Sequence, residues 1–344
     1  MVERHLESEA TRTLAAGLQF LQASQHADGS FLSYWWRAVG DEDVDIRPEN
    51  SFFQTAFIGS VLSGVAGAEE IVRRVTQFAV ARREPGCVWR YLPTEHPGHA
   101  ALPPDVDDTA LGSLLLREAG QSVGAANAVL LSNRDNKGRF YTWITVFGSW
   151  WRTPARLQIL FDRLPQMRHV YAGFRHDNQR MRDLDAGVNA NVVLYLGRGP
   201  STERTVSYLV DVARRGVIDD RWYEDPFTLW FLISRALHRH GIQAGAVLLE
   251  HLGSSRPTTP MQLAEAVCIA LDWGGQVPEE WIAGLLASQS PGGGWERMPL
   301  YSVKGTNERW GAEATTTALC VEALSRWLTI TPQTQRPASG TQAS

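Results

Sequence analysis

The chain has 344 residues, 44% hydrophobic and 20% charged, with a net charge of −4 at pH 7, which suits one large domain with a full core. Basic and acidic residues are mixed and no long apolar run occurs, so we expect neither nucleic-acid binding nor a transmembrane segment. Three widely spaced cysteines argue against a disulfide framework and favour a reducing, cytoplasmic location.

The predicted elements alternate between two kinds of helix. The charged start, Met1–Glu7, lacks an apolar stretch, so no signal peptide is expected. The first kind of helix is amphipathic, as in Thr11–Ser24 and Ala68–Arg83, and is typical of helices that cover a core. Further helices of this kind are expected to begin near residues 121, 201, 241 and 279.

The second kind is apolar on nearly every side, which indicates burial. Six segments have this pattern: Phe52–Leu62, Thr109–Leu116, Val188–Leu196, Phe227–Leu237, Leu263–Leu271 and Ala314–Leu324. Alternation with a period of two residues is nearly absent, so we predict an all-α protein without a sheet.

Six pairs of an outer and an inner helix, repeating at roughly 35–55 residues, predict an (α/α)6 toroid. We expect a single toroid over 1–331, with an insertion at about 134–186 and a disordered tail at 332–344. An open solenoid is the alternative. Closure is favoured because neither terminal pair has the polar face of a capping repeat.

In a closed toroid the inner helices run in one direction, and their N-termini share one rim. Acidic residues precede several of them: Asp41, Glu42, Asp43 and Asp45; Asp105, Asp107 and Asp108; Asp183 and Asp185; Asp219, Asp220, Glu224 and Asp225. These loops, with 295–313, are expected to converge on one mouth. The alternative is that each acidic group caps its own helix.

Residues 105–110, Asp-Val-Asp-Asp-Thr-Ala, place three carboxyl groups at the start of a buried helix. Like charges this close cannot all stay ionised without water, so one carboxyl is expected to hold its proton near neutral pH. Such a carboxyl can act as a general acid. Helix capping explains Asp105 and Asp108, but it does not explain Asp107.

The same six residues resemble the Asp-x-Asp-Asp motif of class II terpene cyclases, the squalene–hopene cyclase family. Gln25–Phe31 and Gln289–Trp295 are similar to that family's Gln-Trp repeat, and Asn133–Phe140 is a degenerate copy in which Asn replaces Gln. The family fold is an α/α toroid, as the helix periodicity also indicates.

The resemblance implies that Asp107 protonates a terminal alkene or epoxide, while Asp105 and Asp108 keep it in the acid form. It implies a linear isoprenoid substrate, such as squalene or a prenyl diphosphate whose diphosphate is retained. We expect no cofactor for the acid step, and Mg²⁺ only in diphosphate binding.

Familiar members of that family pair two toroids around the site, whereas this chain has room for one. Either one barrel holds the site, or a homodimer completes it, or the acid motif serves another purpose. For a single barrel we expect a substrate smaller than a triterpene.

Protonating an alkene produces a cation that requires a dry site and that aromatic rings stabilise. Among the 13 tryptophans, we select Trp35, Trp36, Trp89 and Trp310 as candidate substrate-binding residues. The pairs at 35–36 and 150–151 lie in loop-like sequence. Core packing is the alternative for each of them.

Asn189 and Asn191 lie on an otherwise apolar helix, so their amides must find hydrogen bonds. They either line the cavity and hold the acid or cap the helix. For the base that ends the reaction, the sequence offers Asn189, His169 and Tyr301 without favouring one.

A basic stretch at 168–182 contains Arg175 and Arg182, which we select as candidate diphosphate ligands; a solvated helix face is the alternative. No Asp-x-Cys pattern with a partner His occurs near an inner helix, so we expect no zinc site.

Two other functions fit an α/α toroid. An inverting glycosidase would pair Asp107 with Asp45 or Asp185 across an aromatic groove. A non-catalytic toroid would bind a lipid or a partner protein, and its barrel would be filled. A dry, apolar cavity would favour the cyclase.

Overall fold

The structure is a computed structural model that describes residues 2–40, 42–144, 182–216 and 220–334, together with positions 154, 157 and 159. Its helices alternate between an outer and an inner layer. In chain order they are α1 (Val2–Ser24), α2 (Phe52–Leu62), α3 (Glu69–Ala81), α4 (Val106–Glu118), α5 (Gly124–Ser132), α6 (Ala186–Leu196), α7 (Glu203–Arg215), α8 (Pro226–Arg239), α9 (Gly245–Ser254), α10 (Pro260–Asp272), α11 (Glu279–Ala287) and α12 (Glu313–Thr334).

The even-numbered helices form a closed inner ring. Each packs against the next in the order α2, α4, α6, α8, α10 and α12, and α12 packs back against α2. Every residue of α2 is buried, as its apolar sequence requires. The odd-numbered helices cover the ring, and α7 illustrates them by burying Val206 and Leu209 while exposing its charged face. The predicted (α/α)6 toroid is therefore confirmed.

A four-stranded antiparallel sheet lies beside this ring, so the prediction that the chain has no sheet was wrong. Its strands are β1 (Ser33–Val39), β2 (Glu42–Glu49), β3 (Met298–Ser302) and β4 (Glu308–Ala312), in the order β2-β1-β4-β3. Trp35 and Trp36 accordingly lie in a strand and not in a loop. Two hairpins from opposite ends of the sequence form the sheet, with Tyr34 opposite Gly311.

The Gln-Trp-like segments are tight turns that each follow an outer helix. The side-chain amide of Gln289 donates to the carbonyl oxygens of Gly293 and Thr13, each at 2.8 Å. Gly293 has a φ of +87°, and a Cβ atom there would come within 2.7 Å of the Ala16 carbonyl oxygen. Only glycine suits this position.

These three turns, and the segment that ends at Trp89 before α4, are each fastened to an inner helix through the backbone N–H of an aromatic residue. A threonine hydroxyl accepts this hydrogen bond in three of the four cases, and the Asn189 side chain accepts it in the other. The pairs are Phe31 with Thr55 at 3.1 Å, Trp89 with Thr109 at 3.3 Å, Phe140 with Asn189 at 2.8 Å and Trp295 with Thr317 at 3.1 Å. Asn133–Phe140 is thus a structural counterpart of the other turns.

The predicted limits of the tail and of the insertion can be compared with the structure only in part. Helix α12 continues to Thr334, so residues 332–334 of the predicted disordered tail are helical, and the rest of the tail lies outside the described residues. Most of the predicted insertion also lies outside them. Across the part of the chain that the structure describes, no helix combines the length and apolarity that crossing a membrane requires.

We predict that Thr317→Val lowers the free energy of unfolding by about 1–3 kcal/mol, because the buried N–H of Trp295 loses its acceptor while the volume barely changes. Urea denaturation followed by circular dichroism measures this. Thr329→Val, at an exposed position of the same helix, is the matched control. Equal stability of the two variants would contradict the role of the turn bond.

Candidate active site

The acid motif lies where α4 begins, at the rim of the inner ring. Asp105 is the N-cap: its backbone is extended, and its Oδ1 accepts a hydrogen bond from the Asp108 N–H at 2.7 Å. The helix therefore starts at Val106 and places Asp107 in its first turn. The capping interpretation is correct for Asp105, and it leaves Asp107 free for other contacts.

Two neighbouring segments hold the Asp107 carboxyl group. The Asn191 amide of α6 donates to Oδ1 at 2.8 Å, and the Tyr223 hydroxyl donates to Oδ2 at 2.8 Å. Tyr223 belongs to the loop before α8, and its ring packs directly on Gly187, where a side chain would collide with it. Asp107 of α4 is therefore held by one residue from each of two neighbouring segments.

Opposing effects set the pKa of Asp107. Burial and the neighbouring Asp105 charge raise the pKa of Asp107 to about 7, although the hydrogen bonds from Asn191 and Tyr223 lower it. Burial also raises the pKa of Asp105, and burial with the Asp105 charge raises the pKa of Asp108 well above its ordinary value. Near neutral pH Asp107 is therefore partly protonated, and Asp108 keeps its proton.

Two further buried acids, Asp185 and Asp220, hold the backbone segments around the site. Asp220 accepts hydrogen bonds from four backbone N–H groups: Ala186 and Gly187, which begin α6, and Trp222 and Tyr223. It thereby ties the Tyr223 loop to the helix that carries Asn191. Asp185 accepts from the Thr142 hydroxyl and the backbone N–H of Arg221. Neither Asp185 nor Asp220 lines the cavity beside Asp107.

Asp107 opens onto a cavity of about 320 Å³ whose walls are mainly apolar and include seven aromatic side chains. The lining residues are Glu49, Phe53, Tyr91, Leu92, Gly98, Ala101, Leu102, Asp105, Asp107, Thr142, Trp143, Val188, Trp222, Tyr223, Tyr301 and Trp310. Tyr301 is central among them: its ring lies 5.6 Å from that of Trp310 and 6.4 Å from that of Tyr223. Such walls suit an apolar ligand and stabilise a cation.

The sheet supplies the wall that carries Glu49, Tyr301 and Trp310, on β2, β3 and β4 respectively. Burial raises the pKa of Glu49, while hydrogen bonds from Tyr91 and Trp310 lower it. Sequence reasoning missed Glu49 and Tyr223. The alternation of Val44 and Ile46 with charged residues was the signal for β2, but it spans only a few residues.

The candidate aromatic residues separate into two groups. Trp310 lines the cavity, whereas Trp35, Trp36 and Trp89 do not. Trp35 packs beneath the Arg47 guanidinium at 5.2 Å, and Trp36 lies beneath that of Arg297 at 4.6 Å. Trp89 is buried: its indole N–H donates to the Ala79 carbonyl oxygen at 2.8 Å, and its ring packs against Gly112 of α4.

The remaining candidates are also spread out. Asn191 reaches the acid, but Asn189 serves the turn at Phe140 and donates to the Asp185 carbonyl oxygen at 2.8 Å. Arg182 is exposed, and Arg175 lies outside the described residues. Asp45, proposed as a glycosidase partner, is ion-paired with Arg37 on the exposed hairpin.

The described residues contain no group of three or more His, Cys, Asp or Glu side chains arranged to hold a metal ion. The described lining also contains no Lys or Arg. Its polar groups are carboxyl, hydroxyl and indole N–H groups, which can transfer or hold protons and can orient a ligand.

Solved structures share this architecture. The crystal structure of a protein from Actinoplanes is 18% identical, with a TM-score of 0.66, covering 92% of this chain and 99% of that one. The type II terpene cyclase MstE from Scytonema, in complex with its substrate geranylgeranyl dihydroxybenzoate, is 18% identical, with a TM-score of 0.65 and coverages of 95% and 99%. No family model matches, and no curated protein matches.

The likeness also extends to ent-copalyl diphosphate synthase from Streptomyces platensis, which is 17% identical with a TM-score of 0.53. The match covers 80% of this chain but only 50% of that one, so this chain spans about half the synthase's length. The chain has a class II terpene cyclase-like fold. MstE is matched over 99% of its length and is therefore similar in length to this chain.

We predict that Asp107→Asn stabilises the protein at pH 8. The raised pKa of Asp107 means that the folded state keeps a proton that the unfolded state releases above about pH 4. The wild type therefore loses stability as the pH rises from about 4 to about 7, whereas the amide does not. Between pH 4 and pH 8 the variant should gain on the order of 2–4 kcal/mol relative to the wild type.

Urea unfolding at several pH values measures this difference. Asp211→Asn, at an exposed position of α7, is the control and should follow the wild-type curve. A constant difference between Asp107→Asn and the wild type at every pH would show that the Asp107 pKa is not raised.

Proposed function

We propose that this protein is a class II-type terpene cyclase in which Asp107 protonates a linear isoprenoid and so starts its cyclisation. One observation supports this most strongly. A buried carboxyl group with a pKa of about 7 opens onto an apolar, aromatic-lined cavity. An apolar cavity binds a water-soluble polar ligand poorly. It suits an alkene, to which the buried acid can donate its proton.

The chemistry follows from the contacts. The Asp107 proton adds to the terminal alkene or epoxide, a C–H or O–H bond forms, and the remaining carboxylate is stabilised by Asn191 and Tyr223. Those two donors help most once the charge has developed, which favours the transition state over the ground state. Asp108, which keeps its proton, adds no second charge beside the carboxylate.

The walls serve the cation that results. The ring centroids of Trp222, Tyr301 and Trp310 lie within 6.5 Å of one another, and all three residues line the cavity. Aromatic faces stabilise a cation without reacting with it as water would. Successive ring closures can therefore proceed before the cation is quenched.

The class of substrate is proposed from the neighbours. MstE is described with geranylgeranyl dihydroxybenzoate as substrate and merosterolic acid A as product, and the Streptomyces enzyme is named for ent-copalyl diphosphate. We propose a linear isoprenoid that carries a head group. Four further expectations stay predictions: a diphosphate head group, its Mg²⁺, the roles of Arg175 and Arg182 as its ligands, and a homodimer.

The first test is turnover. Purified protein is incubated with geranylgeranyl dihydroxybenzoate, farnesyl diphosphate and geranylgeranyl diphosphate, with and without Mg²⁺, and the extracts are analysed by mass spectrometry. We expect a cyclised product from one of these substrates, and a rate at least about 10³-fold lower in Asp107→Asn. Asp211→Asn should match the wild type. Unchanged turnover in Asp107→Asn would exclude Asp107 as the acid.

The second test is the pH dependence of that turnover. Because the protonated form of Asp107 is the active one, the initial rate should fall above about pH 7 and approach a tenfold loss per pH unit. Asn191→Leu removes a donor that lowers the Asp107 pKa, so its falling limb should move to higher pH by roughly one unit. If the falling limb of the pH–rate profile does not move, the group that titrates is not Asp107.

A further inference from the structure

A second carboxyl group lines the cavity, carried on a different wall from the acid motif. Glu49, at the end of β2, lies beside the cavity together with Tyr91 and Trp310. Unlike Asp107, it is only partly buried. Its carboxyl group lines the cavity and is largely buried, while the residue as a whole keeps some exposure to solvent.

A chain of hydroxyl donors ends at this carboxylate. The Tyr301 hydroxyl donates to the Tyr91 hydroxyl oxygen at 2.8 Å, and the Tyr91 hydroxyl donates to Oε2 of Glu49. Both bonds point the same way, from the centre of the cavity towards Glu49. This is the order that a proton follows when it leaves the cavity.

The same tyrosines connect Glu49 to the acid. Tyr223, whose hydroxyl bonds Asp107, packs edge-on against Tyr301 with 6.4 Å between ring centroids. Three tyrosines therefore separate the two carboxyl groups. Asp107 and Tyr301 line the same cavity, so a ligand that fills it contacts both.

We propose that Glu49, acting through Tyr91 and Tyr301, is the proton acceptor that ends the reaction; this rests on the proposed cyclase function. The final cation loses a proton from the carbon beside its charged centre, and the electrons of that C–H bond form the new C=C bond. Tyr301 takes this proton as it passes its own to Tyr91, and Tyr91 passes its own to Glu49.

The proton balance closes without another reactant. Asp107 gives one proton to the substrate, and Glu49 receives one, so the reaction is an isomerisation. Solvent then removes the proton from the partly exposed Glu49 and resupplies Asp107. Burial raises the pKa of Tyr301 well above its ordinary value, which disfavours a tyrosinate, so Tyr301 releases its own proton only as it receives another. The carboxylate at the end of the chain is the stable acceptor.

The test compares products. Glu49→Gln keeps the size and a hydrogen-bond acceptor for Tyr91 but cannot take the proton. We expect its turnover to fall about 10²-fold and its products to shift towards alkene isomers and alcohols formed by water capture. Tyr91→Phe should shift the products in the same direction. Glu118→Gln, an exposed position at the far end of α4, should give the wild-type product at the wild-type rate.

A second measurement separates this proposal from the cyclase proposal. N,N-dimethyldodecylamine carries a tertiary ammonium on an apolar chain and resembles a tertiary cation. Calorimetric titration at pH 7 should show its Kd rise about tenfold in Glu49→Gln and stay unchanged in Glu118→Gln. Absence of wild-type turnover would overturn the cyclase proposal. Equal ammonium binding by Glu49→Gln and the wild type, or an unaltered product at an unaltered rate, would overturn the role of Glu49.

Discussion

The contact between α2 and α12 closes the inner ring, and the site depends on this closure. A buried hydrogen bond of 2.9 Å joins the Thr315 hydroxyl of α12 to the Gln54 side chain of α2 across the junction. Once the ring is closed, the starts of the inner helices face one mouth. Tyr91 and Tyr301 then meet although 210 positions separate them in the chain.

The acid illustrates how the ring sets reactivity. Removal from water alone would make Asp107 a very weak acid that keeps its proton, whereas strong hydrogen bonds alone would leave it ionised. Asn191 and Tyr223 offset part of the effect of burial, and the result is a group that is half protonated near neutral pH. Asp220 affects the pKa of Asp107 indirectly, because it orders the loop that carries Tyr223.

The sequence indicated the ring better than it indicated the site. Helix α2 is apolar on nearly all sides over its 11 residues, and Phe227–Leu237 of α8 is buried in nearly the same way, so their burial can be predicted from the sequence alone. Asp107 was recognisable because three acids precede an apolar run. The sheet was not, since strand β3 has five residues and the decisive pairing joins Tyr34 to Gly311.

The tryptophans show a second limit of sequence reasoning. Trp310 and Trp89 both lie near polar sequence, but only a three-dimensional contact distinguishes a residue that lines the cavity from one that packs on α4. Glu49 was missed for a related reason. Its position beside Tyr91 and Tyr301 depends on both hairpins, and no spacing along the chain encodes that arrangement.

The pairing of β1 with β4 also bears on how the molecule unfolds. An open row of helical repeats can fray from its ends, because the outermost repeat has a neighbour on one side only. Here the first and last inner helices are neighbours, and the sheet joins the same two regions a second time. No helix pair of the ring has a free end, so there is no end repeat at which local unfolding could begin. Loss of structure should therefore be more cooperative than in a solenoid of equal length, and folding should be slowed by contacts so distant in sequence.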